Sequence, residues 1–403
     1  MLSVMGAMAA LSIDVVSFYT ARSEAQLAAD GAALAGARVL ANSGATSDTT
    51  GNSMAGAWTL AQAVATQVAV QNPVGGTTPT VTLPTSPGGT NTNPTVTVKV
   101  TATLPTFFAR IWGTTQVTVT ASATAEAYNP SGAFAISSTT APPVAPLCVK
   151  PWLLPNIDPT QGSPTGNAIF GPTGGIVNSG LLNQQFIAPG LVSRCGDCSP
   201  GAGGIPSPMP AQYYPGSIAD FPVPTVLPAC SSGLTTSYQL AVAGCVPQPI
   251  TCGASSSVAI DVSPYGTFRD TDTVAAASCL IHDYGTNLDA DSMSTSSTNP
   301  PFEFVGGNQN PIAGAVGSNT LVSDSLVTIP VINNTNPASP PASVAIIGFL
   351  QVFLDRTGAT MSGGTAVPAT IINMAGCTGT SAGAQPVIGN GASPVAVRLV
   401  TPP

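Results

Sequence analysis

Histidine occurs once in these 403 residues, at His282, with Asp283 beside it. Any Ser–His–Asp hydrolase built on this chain would have to use that imidazole. A lone histidine more often sits on a loop or satisfies a structural partner, and that reading is favoured. Cys195-Gly-Asp-Cys198 has the spacing of a redox or zinc pair. Zinc needs a second pair or histidines at matched spacing, which Cys230, Cys245 and Cys252 do not supply. A redox pair belongs on a thioredoxin-like βα unit, whereas Gly and Pro surround this one. A structural disulfide is favoured. Asp270/Asp272 and Asp289/Asp291, the second pair close to Asn287, alternate as calcium ligands do. No EF-hand glycine and glutamate follow, so exposed turns are favoured and calcium stays open. Glutamate stands only at Glu24, Glu126 and Glu303, poor material for a two-carboxylate glycosidase. Phosphate loops and dinucleotide fingerprints are absent from the sequence. The expectation is a chain with no catalytic residue, no resident metal and no cofactor.

Composition narrows the class. Charged residues make up 6%, against about 25% in ordinary soluble proteins. Gly 42 and Pro 39 are together about a fifth of the chain. Hydroxyls and amides, rather than charges, must solvate the surface, as in many secreted bacterial proteins. Nine Lys+Arg and a net charge of −8 leave no basic patch, so nucleic acid is not an expected partner. Eight cysteines, all from Cys148 onward, suit disulfides in an oxidising compartment. The candidates are Cys148, Cys195, Cys198, Cys230, Cys245, Cys252, Cys279 and Cys377, and 105 pairings are open.

The element that must position everything else is the first forty residues. Met1 to Tyr19 is apolar or small apart from Asp14 and three serines, and Ala and Leu dominate the second half of the run. No proline interrupts it, so one helix over 1–40 is expected, roughly 60 Å long at 1.5 Å per residue. Its first half is read as a single-pass membrane anchor. A carboxylate such as Asp14 inside an apolar span needs a partner or marks the edge of the bilayer. Ala25, Ala29 and Ala33, with Ala28, Ala32 and Gly36, repeat at four-residue spacing. Such a face lets another helix approach closely. No later run is long enough to span; Ser343 to Asp355 reads as a buried strand.

Ser53 is placed to cap a second helix ending before Asn72-Pro73. Val96, Val98 and Val100 alternate with Thr97, Lys99 and Thr101, and Val117, Val119, Ala121 and Ala123 share a face of a second strand. Between the strands, Pro105 to Gly113 reads as a short helix, with Phe107, Phe108, Ile111 and Trp112 buried against the sheet.

The segment from Ile13 to Ala37 (Asp14, Tyr19, Arg22, Gln26, then Ala-Ala-Asp-Gly-Ala-Ala-Leu-Ala-Gly-Ala from Ala28 to Ala37) resembles the N-terminal signature of TadG/TadE-like proteins. These are pilin-like components of the Flp (Tad) pilus assembly system. The family pattern usually has Ala where Gly31 stands. It also opens with a basic segment, whereas Met1 here opens directly into the apolar run. Strand, Phe-Phe-Ala-Arg helix and Val/Thr/Ala strand are similar to the family as well. The resemblance implies a non-catalytic inner-membrane protein with its bulk in the periplasm or outside the cell, its helix packing against pilin-like partners. It does not extend to the Asp-x-Ser-x-Ser metal motif of longer family members, which this sequence lacks.

The expected organisation is therefore α+β: an anchor helix over 1–40, a small α+β module over 41–129, a linker over 130–146, and a β-rich, disulfide-containing domain over 147–403. Ala345 to Leu354 and Val395 to Val400 are expected to form the core of that last domain. The alternatives are a surface adhesin or carbohydrate-binding β domain unrelated to pili, and a secreted hydrolase using His282.

Overall fold

The computed structural model describes residues 2–131, 143–160, 167–172, 174–188, 213–228, 230, 233–252, 257–260, 270–283, 289–294, 299–312, 314–320, 322–333, 342–356, 367–377, 387–388 and 393–400. The protein is α+β, built mainly on one long helix, a second helix and two larger sheets. Helix α1 runs unbroken over Leu2–Asn42. Helix α2, Met54–Gln71, folds back along it. Ser53 precedes α2 as expected, but its hydroxyl donates to Asp48 Oδ2 (2.7 Å) instead of accepting from the helix.

The first sheet contains β1 (Thr80–Thr82), β2 (Pro94–Pro105) and β3 (Gln116–Tyr128). β2 and β3 pair antiparallel from Thr95↔Glu126 to Pro105↔Gln116. Val96, Val98 and Val100 are fully buried on one face, as the alternation predicts. That face lies on α1, where only small side chains fit between helix and strands. A methyl added at Gly36 would stand 2.9 Å from Val96 Cγ1.

The second sheet is assembled later in the chain from β4 (Trp152–Pro155), β5 (Gln185–Ala188), β6 (Tyr214–Pro215), β7 (Leu326–Ile332), β8 (Ser343–Leu354) and β9 (Val367–Gly376). Its order is β5-β9-β8-β7-β4-β6, with Ser257–Ala259 pairing to the start of β8. β8 and β9 are apolar almost throughout and buried, as expected for Ala345 to Leu354. Helices α3 (Ser237–Ala243) and α4 (Asp270–Leu280) pack on each other beside this sheet. α4 is thus a helix inside the region expected to be β-rich.

The last strand, β10 (Ala396–Val400), does not join that core. It pairs antiparallel with β3 in the first sheet, Ala396↔Tyr128 through Val400↔Thr124. Arg398 lies opposite Glu126 and donates to Oε2 through Nε (3.0 Å) and Nη2 (2.9 Å). Its guanidinium also sits 5.6 Å from the Tyr128 ring centre.

The divisions at 40 and 129 are not structural boundaries. Asn129, expected to be the last residue before a linker, is fully buried and donates through Nδ2 to Met374 O (2.9 Å) on β9. Asn373 donates to Ala41 O and to Gln351 Oε1, both at 2.7 Å. Ser47 Oγ donates to Met374 O and accepts from Met374 N. These buried amides and hydroxyls satisfy one another and fix the end of α1 to the second sheet. Most of the expected linker (132–142) lies outside the described residues; Val144–Ala145 form a small parallel pair with Val387–Ile388.

Candidate functional site

The site with the clearest unusual chemistry is where α1 leaves the body of the protein. Asp14 is buried there without a cation. Its carboxylate accepts three consecutive backbone N–H groups, from Phe107 (2.9 Å), Phe108 (3.0 Å) and Ala109 (2.7 Å). These donors belong to the turn joining β2 to β3, which contains a single 3-10 turn over Ala109–Trp112. A helical start leaves such donors free, and a carboxylate is their best partner. Desolvation pushes the Asp14 pKa up, but the three N–H groups outweigh it and hold the pKa below the usual carboxylate value. The partner that an intrahelical Asp requires is therefore main chain, more than ninety positions downstream in the sequence.

The turn that Asp14 holds is not buried as the sequence reading expected. Phe107 is 66% exposed, Ile111 74% and Trp112 56%. Pro105 ends β2 instead of starting a helix. Four aromatic or aliphatic side chains in six residues suggest a core, but the turn overshoots the far end of the sheet and α2 does not reach it. The adjacent part of α1 is also uncovered: Met8, Leu11, Ile13, Val15, Val16 and Tyr19 are all exposed. From Ala21 onward the helix sinks into the body. Among the described residues no helix is long and apolar enough to cross a membrane.

The alanine face is occupied by the chain itself. Ala25, Ala29 and Ala33 are fully buried, and Gly36 meets Val96 and Ala65. The close approach is as expected, but the neighbours are α2, β2 and β3 and not a partner helix. Glu24 Oε2 accepts from Gly75 N (2.6 Å), which adds a tie to the turn after α2.

Six cysteines form three disulfides among the described residues: Cys148–Cys245, Cys230–Cys279 and Cys252–Cys377. They close spans of 97, 49 and 125 residues, each contributing about 4–5 kcal/mol in a chain-entropy account. Cys195 and Cys198 lie outside the described residues.

A second feature is a cleft of about 270 Å³ beside the Cys148–Cys245 bridge, lined also by Lys150, His282, Ser323 and Asp324. Lys150 is buried, and Nζ donates to Val242 O and Gly244 O, both at 2.7 Å. It thereby caps the C-terminus of α3. Burial pulls its pKa down to about 7, against a smaller opposing pull from Asp324. His282 Nε2 lies 3.0 Å from Asp324 Oδ2, and Arg356 pairs with Asp283. Both contacts tie the end of α4 to the neighbouring loops. Sequence reading passed over Gly379-Thr380-Ser381-Ala382-Gly383, which has nucleophile-elbow spacing. It lies outside the described residues.

Asp291 accepts from Gly307 N (2.7 Å) and Asn310 Nδ2 (2.9 Å), and Asp272 accepts from Gln239 Nε2 (3.1 Å). Asn287 and the Asp270 side chain lie outside the described residues. Among the described residues no three His, Cys, Asp or Glu side chains are grouped to hold a metal ion. No family model matches the chain, and no curated protein and no solved structure matches it.

Proposed function

We propose that this chain is a non-catalytic, membrane-anchored component of a Flp/Tad-type pilus assembly system, with its bulk outside the cytoplasm. The observation that carries the reading is the division of α1. Its second half is the packed spine of an antiparallel sheet, while its first half projects with apolar side chains uncovered. A long helix half embedded in a small α+β head is the general plan of pilin-like proteins. The signature from Ile13 to Ala37 supplies the pilus assignment by resemblance. The disulfides favour an oxidising compartment. Since its own sheet covers the alanine face, pilin-like partners meet the exposed side of the helix farther along, around Leu27.

The test is fractionation of the natively expressed protein, with a maleimide mass shift run with and without reductant. A photocrosslinker at Leu27 then samples the neighbours. Membrane-bound protein, thiols that appear only after reduction and crosslinks to pilin-like chains are expected. A soluble cytoplasmic protein with free thiols would overturn the reading.

A further inference from the structure

The turn from Phe107 to Trp112 leaves Phe107, Ile111 and Trp112 outside the core, yet three N–H bonds to Asp14 tie it to α1. We infer that this turn is a second lipid-contacting element, seated in the headgroup region of the bilayer beside the helix. The inference rests on the membrane anchoring proposed above and adds to it the depth and orientation of the head.

Three observations carry it. First, the uncovered apolar residues of α1 are not a stripe. At 100° per residue, Met8, Leu11, Ile13, Val15, Val16 and Tyr19 spread over roughly 200° of the helix circumference. A stripe packed on one neighbour is closer to about 100° wide. Second, Asp14 lies in the remaining sector, and there the Phe107–Trp112 turn covers the helix and presents its own apolar side chains outward. Apolar side chains thus reach most of the way round the helix at this level, with Ser12 and Thr20 the exposed polar residues in the arc, which suits a solvent that wraps it better than one docked partner. Third, the side-chain chemistry matches an interface. Trp112 and Tyr19 have amphipathic rings of the kind enriched at headgroup level, and Arg110 and Arg22 are exposed nearby without an acidic residue in the turn. The one carboxylate at this level is saturated by three N–H donors, so no unpaired anion faces the lipid.

Tryptophan fluorescence reads the proposal directly, because Trp58 and Trp152 are buried and Trp112 is not. The full chain is reconstituted into phosphatidylcholine vesicles brominated at shallow or deep acyl positions and recovered by flotation. The difference between wild type and Trp112→Tyr isolates the emission of Trp112. Shallow bromines are expected to remove roughly half of it and deep bromines much less, with aqueous iodide ineffective. Flotation with Trp112 quenched by iodide and untouched by bromolipid places the turn in water and overturns the inference while the anchoring reading stands. Flotation with Trp112 shielded from both quenchers means that a protein, such as a second copy of this chain, covers the turn, and also overturns it. Failure to float removes the anchoring reading, and this inference falls with it.

Discussion

Replacing Arg398 by Leu should destabilise the protein more than any other single change at the edge of the first sheet. Glu126 is fully buried, and two Arg398 nitrogens are bonded to its Oε2. Removing one partner of such a pair costs about 3–5 kcal/mol, because the other charge stays buried and uncompensated. Arg398 is itself 28% exposed, so about 3 kcal/mol is the appropriate end of that range. Loss of the guanidinium over Tyr128 adds roughly 0.5 kcal/mol. At about 2–4 °C per kcal/mol, the melting temperature should fall by roughly 7–14 °C. The reverse change, Glu126→Leu, leaves a cation that can reach water and should cost about half as much. The double variant Glu126→Leu/Arg398→Leu should recover to within about 1 kcal/mol of wild type, since an apolar pair of similar volume often replaces a buried ion pair without loss. Urea denaturation of all four proteins with disulfides intact gives the coupling energy. An Arg398→Leu variant within about 1 kcal/mol of wild type, or a double variant no better than that single one, would refute the reasoning.

Asp14→Ala should free the backbone of the turn: amide exchange at Phe107, Phe108 and Ala109 should accelerate while the β2–β3 ladder keeps its protection. Gly36→Val should cost about 1–3 kcal/mol by overpacking against Val96, measured by the denaturation midpoint. Asp48 is held at a pKa of about 2: desolvation raises it, but hydrogen bonds from Thr50 and Ser53 prevail. Its contribution is full above about pH 4 and is lost as pH falls toward 2, so the deficit of Asp48→Asn should shrink over that window. Lys150 carries the opposite linkage. With a folded pKa of about 7 against 10.5 when unfolded, the unfolded chain binds the extra proton between those values, and stability should rise with pH there. Lys150→Met should flatten that rise.

Local periodicity made β2, β3 and the two helices beside them readable. The Val/Thr alternation in β2 and the uninterrupted Ala/Leu run in α1 are decided by neighbours in sequence, and both elements form where expected. Phe107, Ile111 and Trp112 look like core because clustered apolar side chains usually are, and nothing local says that the turn overshoots the sheet. The partner of Asp14 was unreadable because backbone N–H groups carry no residue signature. The buried Asn129 and Asn373 look like surface amides in a chain already rich in them. Val395 to Val400 were apolar enough to be core, but apolarity does not say which sheet a strand joins; Glu126 opposite Arg398 decides it.

The pairing of β10 with β3 also sets an order in time. Glu126 and Arg398 are 272 residues apart. At about 5–20 residues per second, the last strand emerges roughly 15–55 s after β3 has been made. Throughout that interval β3 offers an open edge of N–H and C=O groups, the kind that invites pairing with other chains. The half of the protein synthesised first is therefore the half completed last. A chain stopped short of residue 396 would retain the long helix and the head while lacking the strand that closes their shared sheet.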